Sequence, residues 1–396
     1  MNILIVDDDP FALKLLARQL QHLGFSKIIL QEYARSALAY LKRNINGIHL
    51  LIIDLQMPEM DGIEFLRQVA RLDYSGHVLL ISGEDSRILQ TSEKLAKAHN
   101  LNVLGSLQKP VSPEQLQLAF KRIAATTMNE ARSDQIMYNK GDLWRAITAG
   151  ELVNYYQPKV RLTTGEVTGV ETLVRWQHPE DGLVFPDQFI PAAEEHALMD
   201  ELTKEVLAAA LSDASFWQET ILPLHVAVNI SIKNLVNVEF PDMVARLARE
   251  AGVSAANLVL EVTETQLMRD RIVPLDILTR LRLKRIGLSI DDFGTGHSSL
   301  SQLRDVPFNE LKMDRSFVHG AHSNPLLQAI VEANLSMAGK LHMTTVAEGV
   351  EDQVDWDFLR NSGCDFAQGY FIAKPMPAAD LPNWISTWEA RRSELV

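Results

Sequence analysis

Short apolar runs alternate with amphipathic segments along almost the whole chain, and this alternation limits the folds that the sequence can adopt. Within the first 120 or so residues the runs are NILIV (2–6), KIIL (27–30), LLII (50–53), HVLLIS (77–82) and NVLGSL (102–107). Segments with apolar residues three or four positions apart lie between them, as in FALKLLARQLQHLG. Five strands that alternate with helices predict a doubly wound α/β domain, in which helices cover both faces of a parallel sheet.

The same alternation resumes on a longer scale from Gly141 onward, and there the apolar runs end repeatedly in a polar residue. These endings are Glu171, Asn229, Glu261, Asp291, Lys312, Glu348 and Gln368. With the earlier run NYYQPKV they indicate about eight strands, the number in a (β/α)₈ barrel, whose active site lies at the C-terminal strand ends. We therefore predict a first domain over 1–123, a polar linker over 124–142 and a barrel over 143–392.

Composition restricts the class of partner and the location. The 396 residues carry a formal net charge of −13, which argues against a nucleic-acid polymer as partner, since binding one requires basic patches. No apolar stretch approaches the roughly 20 residues that span a bilayer, and the start MNILIVDDDP lacks a basic leader. A single cysteine suits a reducing compartment. We expect a cytoplasmic protein that does not bind membranes.

Polar side chains follow four predicted strands of the first domain, where the strand ends of a parallel sheet meet at one crevice. Asp7 and Asp8 follow the first strand, Asp54 and Ser82 end the third and fourth, and Lys109 follows the fifth. Two acids and a backbone carbonyl suit one Mg²⁺. The ion would neutralise an incoming phosphoryl group that Asp54 attacks, with Lys109 and Ser82 on its oxygens. Helix capping alone would explain the acids but not the lysine.

The motifs ILIVDDDP, LLIIDLQMPEMDG, LLIS and KP together resemble the receiver domain of bacterial response regulators, over nearly all of residues 1–122. The resemblance implies a flavodoxin-like fold, Asp54 as the phospho-acceptor and a sensor histidine kinase as partner. The family often has an aromatic switch residue three positions before the lysine, and here this position is Ser106. We therefore expect phosphorylation, while the means of its transmission stays open.

The stretch LSIDDFGTGHSSL (288–300) ends an apolar run with two adjacent acids, Asp291 and Asp292. Neighbouring carboxylates raise each other's pKa unless a cation lies between them, so the pair indicates either a solvated turn or a cation site. At a barrel mouth these acids would meet Glu171, Glu261 and Glu348, and such a cluster would repel itself without metal. Oxygen-only ligands favour Mg²⁺ or Mn²⁺ over zinc.

Two such ions, about 3.5–4 Å apart, would stabilise both the attacking and the leaving oxygen of a phosphodiester. Asp291 would bridge them, and Asp292 would add a ligand to the second ion. Lys312 would orient the attacking water and balance charge, and Glu348 is the candidate base. Cys364 has no obvious activating partner, so we expect no covalent intermediate.

A second resemblance extends over about 143–390. The motifs YYQPKV, ETLVRWQHP, NIS, EVTET, IDDFGTGHSSL, LKMDRSFV, VAEGVE and AQGYFIAKPMP occur in the order and approximate spacing of the EAL family of cyclic di-GMP phosphodiesterases. The resemblance implies a TIM-like barrel and the hydrolysis of cyclic di-GMP to linear pGpG with divalent metal ions. Together with the receiver, the chain resembles response regulators that carry a C-terminal EAL domain.

The EAL resemblance assigns roles position by position. The implied metal ligands are Glu171, Asn229, Glu261, Asp291 and Asp292. The implied catalytic residues are Glu348, Lys312 and Glu171, while Gln157, Leu173, Arg175 and Gln368 would contact the substrate. Three further residues would support them: Glu351 beside Glu348 or the second ion, Glu264 against the loop after Asp292, and Asp314.

Two positions depart from the family pattern. The signature triplet reads ETL, and its middle residue is not a ligand. His297 replaces the usual tyrosine in a loop that the family associates with dimerisation and with ordering of the second metal site, so the departure concerns regulation rather than the number of ligands. We expect a homo-oligomer of undefined order. His178, in RWQHP, is interpreted as structural.

We therefore predict a response regulator whose output is metal-dependent hydrolysis of cyclic di-GMP, modulated by phosphorylation of the receiver. One alternative is a catalytically silent cyclic di-GMP receptor that signals by binding, although such proteins usually lack a ligand or base residue. Another is signalling mainly through protein–protein contacts of the receiver. The sequence indicates neither the cognate kinase nor the direction of the phosphorylation effect.

Overall fold

The computed structural model describes residues 1–83, 86–120, 138–263, 272–294 and 300–395. They belong to two compact units, Met1–Asp134 and Gln135–Val396. The predictions for Glu264 and His297 lie outside the described residues. Within the described ranges, no helix is both long enough and apolar enough to cross a lipid bilayer.

The first unit contains the predicted parallel sheet, with strand order β2-β1-β3-β4-β5. The strands are β1 (Asn2–Val6), β2 (Lys27–Gln31), β3 (Leu50–Asp54), β4 (His77–Ser82) and β5 (Asn102–Gln108). The helices are α1 (Pro10–His22), α2 (Ala34–Arg43), α3 (Gly62–Ala70), α4 (Ser86–Ala98) and α5, helical over 113–120. The doubly wound α/β prediction is confirmed.

The strands of this sheet are continuously apolar because both faces are buried. Leu4 and Val6 pack into one core on one face, and Ile3 and Ile5 pack into a second core on the other. Alternating side chains of a strand point to opposite faces, so a strand buried on both sides needs apolar residues at every position.

In the second unit, eight strands close into a barrel in the order β6-β7-β9-β10-β11-β12-β13-β14, and β14 pairs with β6. The strands of this unit are β6 (Leu152–Arg161), β7 (Val167–His178), β8 (Gly182–Val184), β9 (His225–Asn229), β10 (Leu258–Thr263), β11 (Gly287–Phe293), β12 (Glu310–Met313), β13 (Thr344–Ala347), β14 (Phe366–Ala367) and β15 (Met376–Pro377). The TIM-like barrel prediction is confirmed.

Two details of the barrel differ from the sequence prediction. Strand β6 runs antiparallel to both β7 and β14, whereas the other barrel strands pair in parallel. The prediction that a strand ends at Glu171 was wrong, because β7 continues to His178 and then pairs with β8. The antiparallel register places Gln157 directly opposite Glu171, so both side chains belong to the same part of the barrel.

Helices follow most of the barrel strands. They are α6 (Lys140–Thr148), α7 (Pro186–Glu195), α8 (Met199–Thr220), α9 (Phe240–Glu250), α10 (Ile272–Leu283), α11 (Leu300–Asp305), α12 (Arg315–Val318), α13 (Pro325–Lys340), α14 (Gln353–Asn361) and α15 (Leu381–Leu395). Helix α6 begins inside the segment predicted as a linker, 124–142, of which 124–137 lie outside the described residues. His178 Nδ1 lies 3.1 Å from Asp181 Oδ2, and His178 Nε2 lies 3.3 Å from Arg145 Nη2. These contacts are compatible with a structural role.

Candidate active site

The ammonium group of Lys312 lies at the centre of a carboxylate cluster inside the barrel. Its Nζ is 2.6 Å from Glu348 Oε1 and 2.8 Å from Glu261 Oε2. Asp291 Oδ1 and Glu171 Oε2 are 3.3 and 3.4 Å away. Glu261, Asp291 and Lys312 lie on three parallel strands, Glu171 lies in the middle of β7 and Glu348 follows β13. Closure of the barrel brings the five side chains together.

Side-chain amides orient Glu171, which is buried in the middle of β7. Asn229 Nδ2 donates to Glu171 Oε1 over 3.1 Å, and Gln368 Nε2 donates to Glu171 Oε2 over 2.5 Å. Gln368 also donates to Gln157 Oε1, and Gln157 Nε2 donates to the carbonyl of Ala373. Burial alone would raise the pKa of Glu171, but Lys312 and these amide donors hold it below its usual value.

Asp291 and Asp292 lie just before Phe293, the last residue of β11, where the backbone is irregular. Asp292 has a φ of 53°, and the pairing of β11 with β12 shifts register between Ile290 and Phe293. A non-glycine residue in the left-handed region is held there by its surroundings at some cost in energy. The Asp292 N–H donates to Asp291 Oδ1 over 3.0 Å. Together with Glu348, the two aspartates can bring one oxygen each to within 4.8 Å of one another.

This cluster holds more negative charge than its lysine can balance. Burial, reinforced by Asp291 and Glu171 and opposed by Lys312, raises the pKa of Glu348 to about 8. Burial and the Asp291 charge raise the pKa of Asp292 to about 6. Burial also raises the pKa of Glu261 well above its ordinary value. Carboxylates whose pKa is raised in this way are stabilised in their ionised form by a nearby cation.

The donor set fits a hard divalent cation. Among the described residues, its side chains offer carboxylate and amide oxygens and no sulfur or imidazole, which suits Mg²⁺ or Mn²⁺. Glu171, Glu261, Asp291 and Asp292 carry the carboxylates, and the exposed Asn229 carries the amide oxygen. The surplus of buried negative charge is the structural feature that such ions would offset.

A cavity of about 240 Å³ opens beside the carboxylate cluster. Of the predicted residues, Gln157, Glu171, Leu173, Asp291, Glu348, Glu351 and Gln368 line it. Its walls therefore combine acids near Lys312 with amides and one apolar side chain, a composition that can hold a polar ligand next to the carboxylates.

Two predicted residues lie in other surroundings. Arg175 donates to the Val174 carbonyl and stacks over the rings of Phe185 and Tyr155, at 4.8 and 5.8 Å from their centroids. Asp314 caps the N-terminus of α12 by accepting from the Ser316 N–H over 2.9 Å. The charge of Asp314 also contributes to the raised pKa of Asp292, after burial and the Asp291 charge.

The first unit brings together its own predicted site. Lys109 Nζ is 2.6 Å from Asp54 Oδ2 and 2.7 Å from Asp7 Oδ2. Asp8 and Asp54 line an open cleft with Gln56 and Lys109, and Ser82 is buried at the end of β4. Burial raises the pKa of Asp7, while Lys109 and the Asp9 N–H oppose the rise. Asp7, Asp8 and Asp54 could share a metal ion.

Ser106 forms a polar contact between a strand and a helix of the first unit. Its Oγ donates to Glu93 Oε2 of α4 over 3.3 Å, and Glu93 Oε1 also pairs with Lys97. The residue at the expected switch position thus connects β5 to α4 by a hydrogen bond instead of an aromatic side chain.

Comparison with known proteins identifies both units. Residues 140–375 match the EAL domain, and residues 3–121 match the response regulator receiver domain. The chain belongs to the EAL family. It is a response regulator in which a receiver domain precedes the EAL domain.

Relatives of this EAL protein include named enzymes. It is 32% identical to cyclic di-GMP phosphodiesterase RocR of Pseudomonas aeruginosa, over 98% of this chain and 99% of RocR. It is 39% identical to cyclic di-GMP phosphodiesterase PA2567 of the same organism, over 58% of this chain and 39% of that protein. The chain therefore spans nearly all of the first relative and about two fifths of the second.

Among solved structures, the protein resembles the PaMucR phosphodiesterase in complex with c-di-GMP. The two are 38% identical with a TM-score of 0.57, and the match covers 61% of this chain and 98% of PaMucR. A second similar structure is the EAL enzyme Bd1971 in its cAMP- and cyclic-di-GMP-bound form. It is 28% identical with a TM-score of 0.60, covering 70% of this chain and 77% of Bd1971.

The EAL domain cavity also includes residues that the sequence analysis did not select. Arg315, Gly349, Gly369 and Tyr370 line it beside the predicted residues. The two glycines carried a signal, because each directly follows a polar residue at a strand end, Glu348 or Gln368. Arg315 lies in the motif LKMDRSFV, directly after the strand that contains Lys312, but the sequence analysis gave it no role.

Gly369 provides a test of how tightly the cavity wall is packed. A Cβ on Gly369 would lie 2.2 Å from the Val350 carbonyl oxygen and 2.3 Å from its nitrogen. Gly369→Ala should therefore push apart the loops after β13 and β14 and lower the unfolding temperature of the EAL domain, at a cost of about 1–3 kcal/mol. Thermal unfolding checks this. Gly339→Ala, where a Cβ meets nothing within 4 Å, is the control; equal midpoints for the two variants would contradict the packing.

Proposed function

We propose that the EAL domain hydrolyses cyclic di-GMP to linear pGpG with Mg²⁺ or Mn²⁺. The observation that carries the proposal is the buried cluster of carboxylates around Lys312, beside a cavity with amide-lined walls. Such a cluster suits an anionic phosphodiester only when cations offset its charge. The names of the relatives, cyclic di-GMP phosphodiesterases, support this choice of substrate.

The proposed metal ligands are four acids and one amide: Glu171, Asn229, Glu261, Asp291 and Asp292. Glu171, Glu261 and Asp291 are buried, and Asp292 is half-buried. Two divalent ions bound there would stabilise charge on the phosphate oxygens and lower the pKa of the attacking water. Asp291 and Asp292, held together by the turn at the end of β11, are suited to ligate neighbouring ions.

The protein's own groups would position the water and take up its proton. Lys312 holds Glu348 by its Oε1 atom, so we assign the water proton to Oε2. Water would attack the phosphorus in line with a ribose oxygen of cyclic di-GMP, forming one P–O bond while the bond to that ribose oxygen breaks. The ribose oxygen would take up a proton and leave as a hydroxyl group, so the product is linear. Burial raises the pKa of the Cys364 thiol to about 12, so we propose no protein nucleophile.

The remaining predicted contacts would hold the substrate. Gln157 and Gln368 form one hydrogen-bonded chain that ends at Glu171. A ligand that displaces one amide would therefore also break a hydrogen bond of the other. Leu173 supplies an apolar surface next to them. Arg175, stacked between aromatic rings, would approach the substrate from the same face of β7 as Leu173, because residues two apart on a strand share a face.

A direct assay tests the proposal. Purified full-length protein is incubated with cyclic di-GMP and Mg²⁺, and the products are separated by chromatography. We expect conversion to linear pGpG. Recovery of intact cyclic di-GMP, with binding retained, would instead favour the alternative of a catalytically silent receptor.

We also propose that Asp54 is phosphorylated by a sensor histidine kinase with Mg²⁺ at Asp7 and Asp8, and that this modulates hydrolysis. Lys109 already contacts the Asp54 carboxylate and would move to a phosphoryl oxygen, with Ser82 nearby. Three further statements stay predictions. They are signalling mainly through receiver contacts, homo-oligomerisation, and the domain boundaries 1–123, 124–142 and 143–392.

The receiver proposal predicts that a small-molecule phosphodonor with Mg²⁺ labels the wild-type chain once, whereas Asp54→Asn abolishes labelling because the attacking carboxylate is gone. Intact-mass spectrometry measures the adduct, and Asp61→Asn, at the exposed N-cap of α3, is the control. Hydrolysis rates that are identical with and without the phosphoryl group would remove the regulatory part of the proposal.

A further inference from the structure

We infer that Arg315 binds a substrate phosphate and that His319 and Asp355 are positioning residues, which hold Arg315 in place through Glu351. This inference deepens the proposed function and rests on it. It assigns one new substrate contact and two supporting side chains, to none of which the sequence analysis gave a role.

Arg315 is placed to meet an anion in the cavity. It lines the same wall as Glu348 and Gln368, and its side chain is 61% exposed, so its guanidinium is accessible to a ligand. A Cβ on Gly349 would lie 2.2 Å from Arg315 Cγ, which shows that the arginine stem packs against the backbone next to Glu348. Among the described residues that line this cavity, Arg315 is the one basic side chain.

A single carboxylate fixes the direction of this guanidinium. Arg315 Nη2 lies 2.5 Å from Glu351 Oε1, and Glu351 also lines the cavity. A planar guanidinium has five N–H donors, and one carboxylate can occupy two of them at most. The remaining donors can therefore bind phosphate oxygens while the ion pair persists.

Glu351 is in turn approached by a pair made of the exposed His319 and the buried Asp355. His319 Nε2 lies 3.8 Å from Glu351 Oε2, and His319 Nδ1 is 2.8 Å from Asp355 Oδ2. Asp355 is fully buried and also accepts from the backbone N–H groups of Gly320 and Glu351, over 3.0 and 3.4 Å. One carboxylate thus connects the turn after α12 to the loop that carries Glu348.

The contacts of Asp355 indicate a positioning role rather than a metal site. His319, Asp352 and Asp355 could together face one cation, but both oxygens of Asp355 already accept hydrogen bonds. Asp352 Oδ1 accepts from the Asp355 N–H as the N-cap of α14. A carboxylate that orients one histidine nitrogen leaves the other nitrogen directed at its partner, here Glu351.

Kinetics of three variants test the inference. Arg315→Met removes the charge but keeps most of the stem, so the KM for cyclic di-GMP should rise about tenfold or more, as expected for the loss of a charge-assisted hydrogen bond, with a smaller change in kcat. Asp355→Asn and His319→Gln should shift KM in the same direction. Asp357→Asn, on the exposed side of α14 beside Arg360, is the matched control and should leave KM unchanged.

A double-mutant cycle separates positioning from general stability. If Asp355 acts through Arg315, then Asp355→Asn should raise KM in the wild-type background but not in Arg315→Met. Independent, multiplicative effects of the two substitutions would overturn the coupling. An unchanged KM in Arg315→Met would overturn the phosphate contact. Unfolding midpoints of all variants identify any that merely fold poorly, and Arg315→Lys, which keeps charge, should recover part of the affinity.

Failure of the proposed chemistry is distinguishable from failure of this inference. The same variants are made in a Glu348→Gln background, and dissociation constants for cyclic di-GMP are measured in the presence of Mg²⁺ by calorimetry. If the wild-type chain binds cyclic di-GMP without cleaving it, hydrolysis is refuted, and the effects of the Arg315 and Asp355 substitutions are measured from the dissociation constants. If the wild-type chain neither binds nor cleaves cyclic di-GMP, the proposed function and this inference are both refuted.

Discussion

Glu348→Gln should lower the turnover of cyclic di-GMP by about 10²–10⁴-fold, the contribution expected of a general base. Glutamine keeps the shape of the side chain and its contact with Lys312 but cannot accept the water proton. The unfolding temperature should not fall, because burial already raises the pKa of Glu348 to about 8 and a neutral amide relieves repulsion from Asp291 and Glu171. Steady-state hydrolysis and thermal unfolding measure the two effects.

The matched control for this substitution is Glu332→Gln on the exposed face of α13. It makes the same chemical change away from the cavity and should leave turnover at the wild-type level. Hydrolysis by Glu348→Gln at the wild-type rate would show that another group takes the proton.

Lys312→Met should abolish turnover and destabilise the EAL domain by about 3–5 kcal/mol in metal-free buffer, the usual cost of leaving buried charges unpaired. Four carboxylates within 3.4 Å of Nζ would lose their shared cation. Protonation of Glu261 and Glu348 would offset part of this cost, so the variant should be less destabilised at low pH. Unfolding midpoints with and without Mg²⁺ measure the effect, and added Mg²⁺ should restore part of the lost stability.

Lys340→Met, at the exposed end of α13, controls for the loss of a lysine as such and should leave both readouts near wild type. A Lys312→Met protein with the wild-type midpoint and turnover would contradict the interpretation of Lys312 as the counter-charge of the site.

Topology explains which features the sequence could predict. The carboxyl ends of parallel strands meet at one edge whatever their order, so locating polar strand ends was enough to expect Asp54 beside Lys109 and Glu261 beside Lys312. The same reasoning identified both fold classes, because alternation of strands and helices is a local pattern.

Features that depend on direction or on loop geometry were not predictable. The apolar residues of β6 indicate a strand but not its direction, so its antiparallel pairing and the contact of Gln157 with Gln368 had no local signal. Strand β7 continues beyond Glu171 through Leu173 and Arg175. The sequence analysis ended this strand at Glu171, because the apolar run VTGV stops there. Asp355 follows the N-cap Asp352 by three residues. Acids are common in a first helical turn, so the sequence gives no sign of the contact between Asp355 and His319.

Hydrolysis of cyclic di-GMP by the full-length protein, assayed in chelator and again after Mg²⁺ or Mn²⁺ is restored, tests the central claim most directly. If the acids around Lys312 hold divalent cations that enable water attack, the chelated protein is inactive, restored metal returns turnover, and Asp291→Asn needs far more metal for the same rate. Full turnover in chelator, or an unchanged metal requirement in Asp291→Asn, would contradict the account.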